Sequence, residues 1–200
     1  MKLILASNNK NKLRELRELM SDTGIEILSQ SEAGCNFEVE ENGTTFAENA
    51  YLKAEAVYKA TGLASLADDS GLAVDALDGA PGIYSARFAP GGHSATDYER
   101  NVYLLYVMEN LAHRDAKFVC SICCIMPGGD IIRTEEYCYG DIIREQRGSG
   151  GFGYNKVFSP KGYDITMAEM SDEERYSISH RGKALREFKK KLREYNDTKQ

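Results

Sequence analysis

Apolar residues fall in short runs and helical stripes along the chain. Lys2-Leu-Ile-Leu-Ala6 opens it as a buried strand. Leu13, Leu16, Leu19 and Met20 then recur at helical spacing through about residue 22. Glu26 to Ser29 predicts a second strand. Thr45-x-x-Glu48 forms a capping box. It starts a helix through Ala60 with Phe46, Ala50, Ala54 and Val57 inward, and Gly62 closes it. Leu63 to Ala67 reads as a strand ending on Asp68 and Asp69, and Leu72-Ala-Val74 resumes the apolar pattern in another. Gly79 to Gly92, with four glycines and two prolines, reads as a loop. Ser94, Ala95 and Thr96 lead into a helix to Leu111 that packs Val102, Leu105, Tyr106 and Leu111 inward. Its tyrosines imply a partly wet face or a subunit contact. Ala116 to Met126 is a long strand, Pro127 to Asp130 a turn, and Ile131 to Tyr139 the hairpin partner. Ser171-x-x-Glu174 caps a short helical turn. A last amphipathic helix buries Ala184, Leu185, Phe188 and Leu192. The hairpin breaks the βαβ alternation, so the expected class is α/β with a mixed sheet.

Composition narrows the partners. Two hundred residues make one domain, or one domain with a lobe. A net charge of -6 argues against broad nucleic-acid binding, but a few local cations suffice for a nucleotide. No apolar run approaches the ~20 residues of a membrane span, and the run after Lys2 is too short for a signal peptide. The expected compartment is the cytoplasm. The five cysteines are odd in number, and Cys120-x-x-Cys123 lacks the second pair or histidine that zinc needs. They read as reduced core thiols, Cys120 and Cys124 on one strand face and Cys123 on the other.

Several stretches carry candidate chemistry. Ser7-Asn-Asn-Lys-Asn-Lys12 joins a strand to a helix N-terminus, where free N–H groups and the dipole favour anions. It is a phosphate cradle or a plain capped helix; it lacks the glycines of a Walker loop. Asp68 and Asp69 are adjacent carboxylates that repel each other unless cations or donors stand near. Alternation points them apart within a strand. Hard divalent cations take such oxygens, and Glu40 and Glu41 in the acidic loop are candidates to meet Asp69 across a metal, or else solvated loop acids. Asn49 and Lys53 share one helix face. Gly148 to Asn155 sets Phe152 and Tyr154 among four glycines, a loop that a flat base could approach and stack upon. His180 and Arg181 begin the last helix, where the dipole disfavours cations, which suggests a ligand contact.

These pieces match one family. Ser7-Asn-Asn-x-x-Lys12, Thr45-Phe-x-Glu-Asn-Ala50 with Lys53-Ala54, Ala67-Asp-Asp-Ser-Gly-Leu72, Gly79-x-Pro-Gly-x-Tyr-Ser-Ala-Arg87, Gly150-Gly-Phe-Gly-Tyr154 and Ser179-His-Arg181 stand in order over nearly the whole chain. Together they resemble the non-canonical purine nucleoside triphosphate pyrophosphatases, the inosine and xanthosine triphosphatases. The resemblance implies one domain over residues 1–200: an elongated, two-lobed α/β fold around a long mixed sheet with flanking helices, its cleft between the lobes. It also implies a homodimer and Mg²⁺-dependent hydrolysis of ITP, dITP or XTP to the monophosphate and pyrophosphate, which clears deaminated purines from the nucleotide pool. By position, Ser7, Asn8, Asn9, Lys10, Asn11 and Lys12 would hold the triphosphate, and Lys53 would bind substrate. Asp69 would be general base and metal ligand, with Glu40, Glu41 and Asp68 as further metal acids. Ser70 would touch substrate, and Phe152, Gly153, Tyr154, Asn155, Arg175, His180 and Arg181 would surround the base. Asn155-Lys156 replaces the family's usual Asp-Pro, and Arg175 stands where Lys is usual. Both departures bear on base preference more than on the reaction.

The chemistry is coherent without the name. A triphosphate needs a metal and lysines to neutralise it. A hypoxanthine or xanthine C6 carbonyl is told from an adenine amine by donors, because an amine facing a donor leaves both unpaired. Two other functions compete: a related pyrophosphatase acting on pyrimidine triphosphates, and a nucleotide sensor without turnover. Retention of Asp68, Asp69, Lys12 and Lys53 speaks against the sensor.

Overall fold

The computed structural model describes residues 1–199. Its elements are β1 (Lys2–Leu5), α1 (Lys10–Leu19), β2 (Glu26–Ser29), α2 (Phe46–Thr61), β3 (Ala64–Val74), α3 (Asp97–Val107), β4 (Asp115–Ile125), β5 (Ile131–Ile142), β6 (Phe158–Pro160), α4 (Asp172–Ile178) and α5 (His180–Thr198). They form a mixed α/β fold on one six-stranded sheet ordered β2-β1-β3-β4-β5-β6. β1 runs parallel to β2 and β3, whereas β5 and β6 pair antiparallel. The chain divides into two compact units: residues 1–69, 120–136 and 182–200, and residues 70–119 and 137–181. Among the described residues no helix is long and apolar enough to cross a membrane.

The first unit covers its part of the sheet on both faces. Leu3, Leu5, Ala64, Leu66, Cys120, Ile122 and Cys124 pack in one cluster with Leu16 of α1 and with Ala184, Leu185, Phe188 and Leu192 of α5. Ile4, Ala67, Cys123 and Ile125 pack on the other face with Ala50, Ala54 and Val57 of α2. The strand alternation thus sorts the side chains, which is why β1 reads as a continuous apolar run. All five cysteines are buried thiols, with Cys120 and Cys124 opposite Cys123 as the alternation requires. The second unit has its own core, in which Leu72, Val74, Leu104, Met108, Phe118, Tyr154 and Phe158 meet.

Four local expectations change. β3 does not end at Asp68: eleven residues form one strand, and the predicted break at Asp68 to Gly71 is absent. Helix α3 turns Leu104 and Met108 inward with Leu105 and Leu111 partly buried, and leaves Val102 44% and Tyr106 71% exposed. Asn101 is wholly buried, and the inward face is shifted by about a third of a turn. At α2 Thr45 accepts the Glu48 N–H, but the Glu48 carboxylate turns back to the Thr44 N–H and hydroxyl, so the box is not reciprocal at Thr45. The stretch read as loop, Gly79 to Gly92, contains a turn of 3₁₀ helix over Gly82–Arg87. The short strand β6 gave no apolar alternation to detect.

Candidate active site

Two clusters assemble the residues singled out in the sequence. The first lies on β3 and its flanking helices within the first unit. Asp68 shares the strand face of Leu66, toward α1, and its Oδ2 is 3.0 Å from Lys12 Nζ. Lys12 also donates to the Asp68 carbonyl at 3.2 Å. Asp69 shares the face of Ala67, toward α2. There Lys53 Nζ donates to its Oδ1 at 2.8 Å and Asn49 Nδ2 to its Oδ2 at 3.4 Å. Each carboxylate has its own lysine on its own face, which removes the repulsion expected to end the strand. Asn49 and Lys53 reach one aspartate because they stand four apart on α2. Asn49 Oδ1 also accepts the Gly43 N–H at 2.9 Å, fixing its amide.

The acidic loop contributes one residue to this cluster. Glu41 Oε1 lies 3.3 Å from Lys53 Nζ, whereas Glu40 is exposed to solvent. Burial disfavours the Lys53 ammonium, but Asp69, Glu41 and Asp68 outweigh that and hold its pKa above the usual lysine value. Burial likewise pushes the Asp69 carboxyl above the ordinary carboxylate range, against the pull of Lys53 and Lys12. Among the described residues no three His, Cys, Asp or Glu side chains gather as a metal cage. Mg²⁺ does not need one, since it binds through one or two carboxylates and keeps waters and phosphates for the rest. Asp69 and Glu41, already drawn to one cation at Lys53, fit that donor set.

The Ser7 to Lys12 loop is a capped helix start. Asn9 Oδ1 accepts the Asn11 and Lys12 N–H groups at 2.9 and 3.2 Å, and Ser7 Oγ accepts the Asn9 N–H at 3.1 Å. Two of the amides offered to an anion are therefore already satisfied. Asn8 and Lys10 are exposed, and Asn11 and Lys12 half-buried.

The second cluster lies within the second unit. Arg181 Nη2 donates to Ser70 Oγ at 2.9 Å, and its guanidinium carbon sits 5.4 Å from the centre of the Phe152 ring. Tyr154 is buried and donates its hydroxyl to the Ser85 carbonyl at 2.8 Å. The ring of His180 stacks on Phe118, centroids 4.7 Å apart and planes 10° from parallel. Arg175 is buried and directed elsewhere: it donates to the carbonyls of Met167 and Met170 at 3.4 Å and pairs with Asp172. Asn155 is buried beneath Gly151, whose left-handed φ of 69° and missing side chain leave room for the Asn155 amide. Arg175 and Asn155, the two departures from the family pattern, thus lie against Gly150 and Gly151, while Arg181 joins Ser70 and Phe152. Ser70 follows Asp69 directly on β3, so consecutive residues serve the two clusters. Asn49 was legible on the face of Lys53 but was not among the residues assigned a role.

Comparison with known proteins agrees over the same span. A Ham1 family profile matches residues 3–191. A protein named dITP/XTP pyrophosphatase from Desulforamulus reducens is 50% identical over 188 residues, 93% of this chain and 92% of that one. Another of that name from Aquifex aeolicus is 47% identical over 94% of this chain and 95% of its own. The structure of a HAM1 protein from Coxiella burnetii superposes with a TM-score of 0.89 at 40% identity, covering 97% of this chain and 99% of its own.

The buried Asp69–Lys53 pair yields a stability prediction. Lys53→Met leaves Asp69 buried without its ammonium, and breaking such a pair costs about 3–5 kcal/mol. The folded-state pKa of Asp69 then lies far above its unfolded value. The deficit against wild type is therefore full above that raised pKa and shrinks as pH falls toward the unfolded value. Urea denaturation of both proteins from pH 4 to 8 measures it. A deficit that stays constant with pH would mean that the pair contributes packing and not charge.

Proposed function

The chain belongs to the Ham1 family, and we propose that it hydrolyses ITP, dITP and XTP to the monophosphate and pyrophosphate. The observation that carries this is the buried Asp69 carboxylate, held by Lys53 and Asn49 with Glu41 beside it. A carboxylate whose burial raises its pKa is a better proton acceptor than a surface acid. In this reading Asp69 takes a proton from water as the water oxygen bonds to the α-phosphorus and the α–β anhydride bond breaks, releasing pyrophosphate. Lys53 keeps Asp69 ionised before the transfer and Asn49 fixes its direction. Lys10, Lys12 and Lys53 offset phosphate charge. Phe152 supplies the stacking face, and Arg181, steadied by Ser70, is the donor that reads the base edge, with His180 beside it. Arg175 and Asn155 act through Gly150 and Gly151, against which they pack.

We further propose Mg²⁺ as the cofactor, held by Asp69 and Glu41. It would neutralise charge on the triphosphate and the leaving pyrophosphate. The compartment proposed is the cytoplasm, and the assembly a homodimer. Tyr98, Val102 and Tyr106, exposed in one line on α3, support the second copy.

Pyrophosphate release across a panel of purine and pyrimidine triphosphates tests the reaction; release confined to pyrimidine nucleotides would select the competing enzyme, and none from any nucleotide the sensor. Asp69→Asn is expected to cut turnover of ITP by roughly 10²–10⁴-fold with the fold intact. Wild-type turnover in that variant would remove Asp69 from the chemistry. EDTA is expected to abolish activity and Mg²⁺ to restore it, and full activity in chelator would refute the metal assignment. Sedimentation equilibrium of wild type and Tyr106→Glu is expected to give a dimer and a monomer; two monomers would withdraw the α3 interface.

A further inference from the structure

Helix α3 directs two polar side chains, one turn apart, at a single residue of the loop that carries Phe152. Asp97 Oδ2 accepts the Gly153 N–H at 2.6 Å, and Asn101 Nδ2 donates to the Gly153 carbonyl at 3.0 Å. Both backbone polar groups of Gly153 are thereby held by α3. Gly153 sits at φ 64°, a left-handed conformation that glycine adopts without strain. Asp97 is itself oriented by Arg100, which pairs with it and donates to the carbonyls of Ala86 and Ala95.

Asn101 carries the second observation. It is wholly buried on the face of Leu104 and Met108, and its Oδ1 has no hydrogen-bond partner. An unsatisfied acceptor in the core destabilises the fold, and an apolar side chain of similar size would remove that cost. Exchanging the amide O and N would set two acceptors against each other at Gly153, so the carbonyl there fixes the orientation. The residue is poorly suited to stability alone and well suited to holding Gly153.

We propose that Asp97 and Asn101 are positioning residues for base selectivity, which clamp Gly153 and so fix the Phe152 ring relative to the Arg181 guanidinium above it. Neither needs to touch substrate. The proposal rests on the nucleotide hydrolysis inferred above and adds what sets its discrimination. With the clamp open, Phe152 and Arg181 sample several relative positions. Stacking survives such motion because it tolerates any base, whereas edge hydrogen bonds do not.

The test uses Asn101→Leu, Asp97→Ala and the conservative Asp97→Asn, which keeps an acceptor for Gly153. Steady-state kinetics on ITP, XTP, GTP and ATP are measured with the melting temperature and with inhibition by tripolyphosphate, which has no base. The chain contains no tryptophan, so Phe152→Trp introduces a single indole, excited selectively over the tyrosines, whose quenching by acrylamide reports ring mobility in the free protein. Asn101→Leu removes the unpaired Oδ1 but also the donor to the Gly153 carbonyl, so it is expected to change the melting temperature little, to raise KM for ITP about tenfold, and to shrink the ITP-to-GTP ratio of kcat/KM at least about fivefold. Tripolyphosphate inhibition should stay unchanged and acrylamide quenching should rise. Asp97→Asn should recover most of the ratio lost in Asp97→Ala. A ratio within about twofold of wild type in both Asn101→Leu and Asp97→Ala, with quenching unchanged, would overturn the proposal and leave both residues a purely structural role. Failure of the hydrolysis reading looks different: wild type then releases no pyrophosphate from ITP, and the quenching comparison alone decides the clamp.

Discussion

One ammonium holds the first cluster together. Lys53 is buried beside Asp69 and within reach of Glu41, so three charges share a space that would expel any one of them alone. Its position on α2 follows from ordinary helix geometry: Ala50, Ala54 and Val57 seat the helix on the sheet, and Asn49 and Lys53 then point at the strand carboxylate. The small alanines matter, since they bring the helix close enough for a lysine to reach the strand while its stem stays packed. Without that cation Asp69 would be buried uncompensated, as Asp68 would be without Lys12.

Much of this was legible in the chain. The two layers on β1, β3 and β4 follow from alternation, down to the side on which Cys123 lies. The pairing of Asn49 with Lys53 follows from their spacing. Two of the misreadings share a physical origin: a buried polar residue whose partner lies far away in sequence. Asp68 and Asp69 looked like the end of a strand because Lys12 and Lys53 are 56 and 16 residues away. Val102 and Tyr106 looked like the inward face of α3 because the partner of the buried Asn101, Gly153, is 52 residues away. Long-range partners leave no local trace, so a buried polar residue at the edge of an apolar stripe is where pattern reading breaks down. Leu104 and Met108, three and seven residues beyond Asn101, were the available signal for the true face of α3.

The second cluster divides its arginines by partner. Both are buried, but Arg175 donates to main-chain carbonyls, while Arg181 stands over an aromatic ring with a hydroxyl to steady it. A guanidinium held by carbonyls behaves as a structural brace, and one that stands over a ring presents its flat cationic face to it. The glycine loop requires both. Its backbone takes left-handed turns at Gly148, Gly151 and Gly153, and such turns keep one shape only when side chains around them supply the missing contacts.

The alternation along β3 also bears on how such a chain can change over generations. Loops absorb inserted or deleted residues with little consequence, because nothing downstream depends on their parity. A single residue gained or lost between Ala64 and Asp68 would instead exchange the two faces for every side chain that follows. The carboxylate now served by α2 would be delivered to α1, together with all its partners' errands. Substitution remains open to this strand while length variation is closed. Lineages descending from such a sequence can therefore drift in the composition of β3 but not in its residue count.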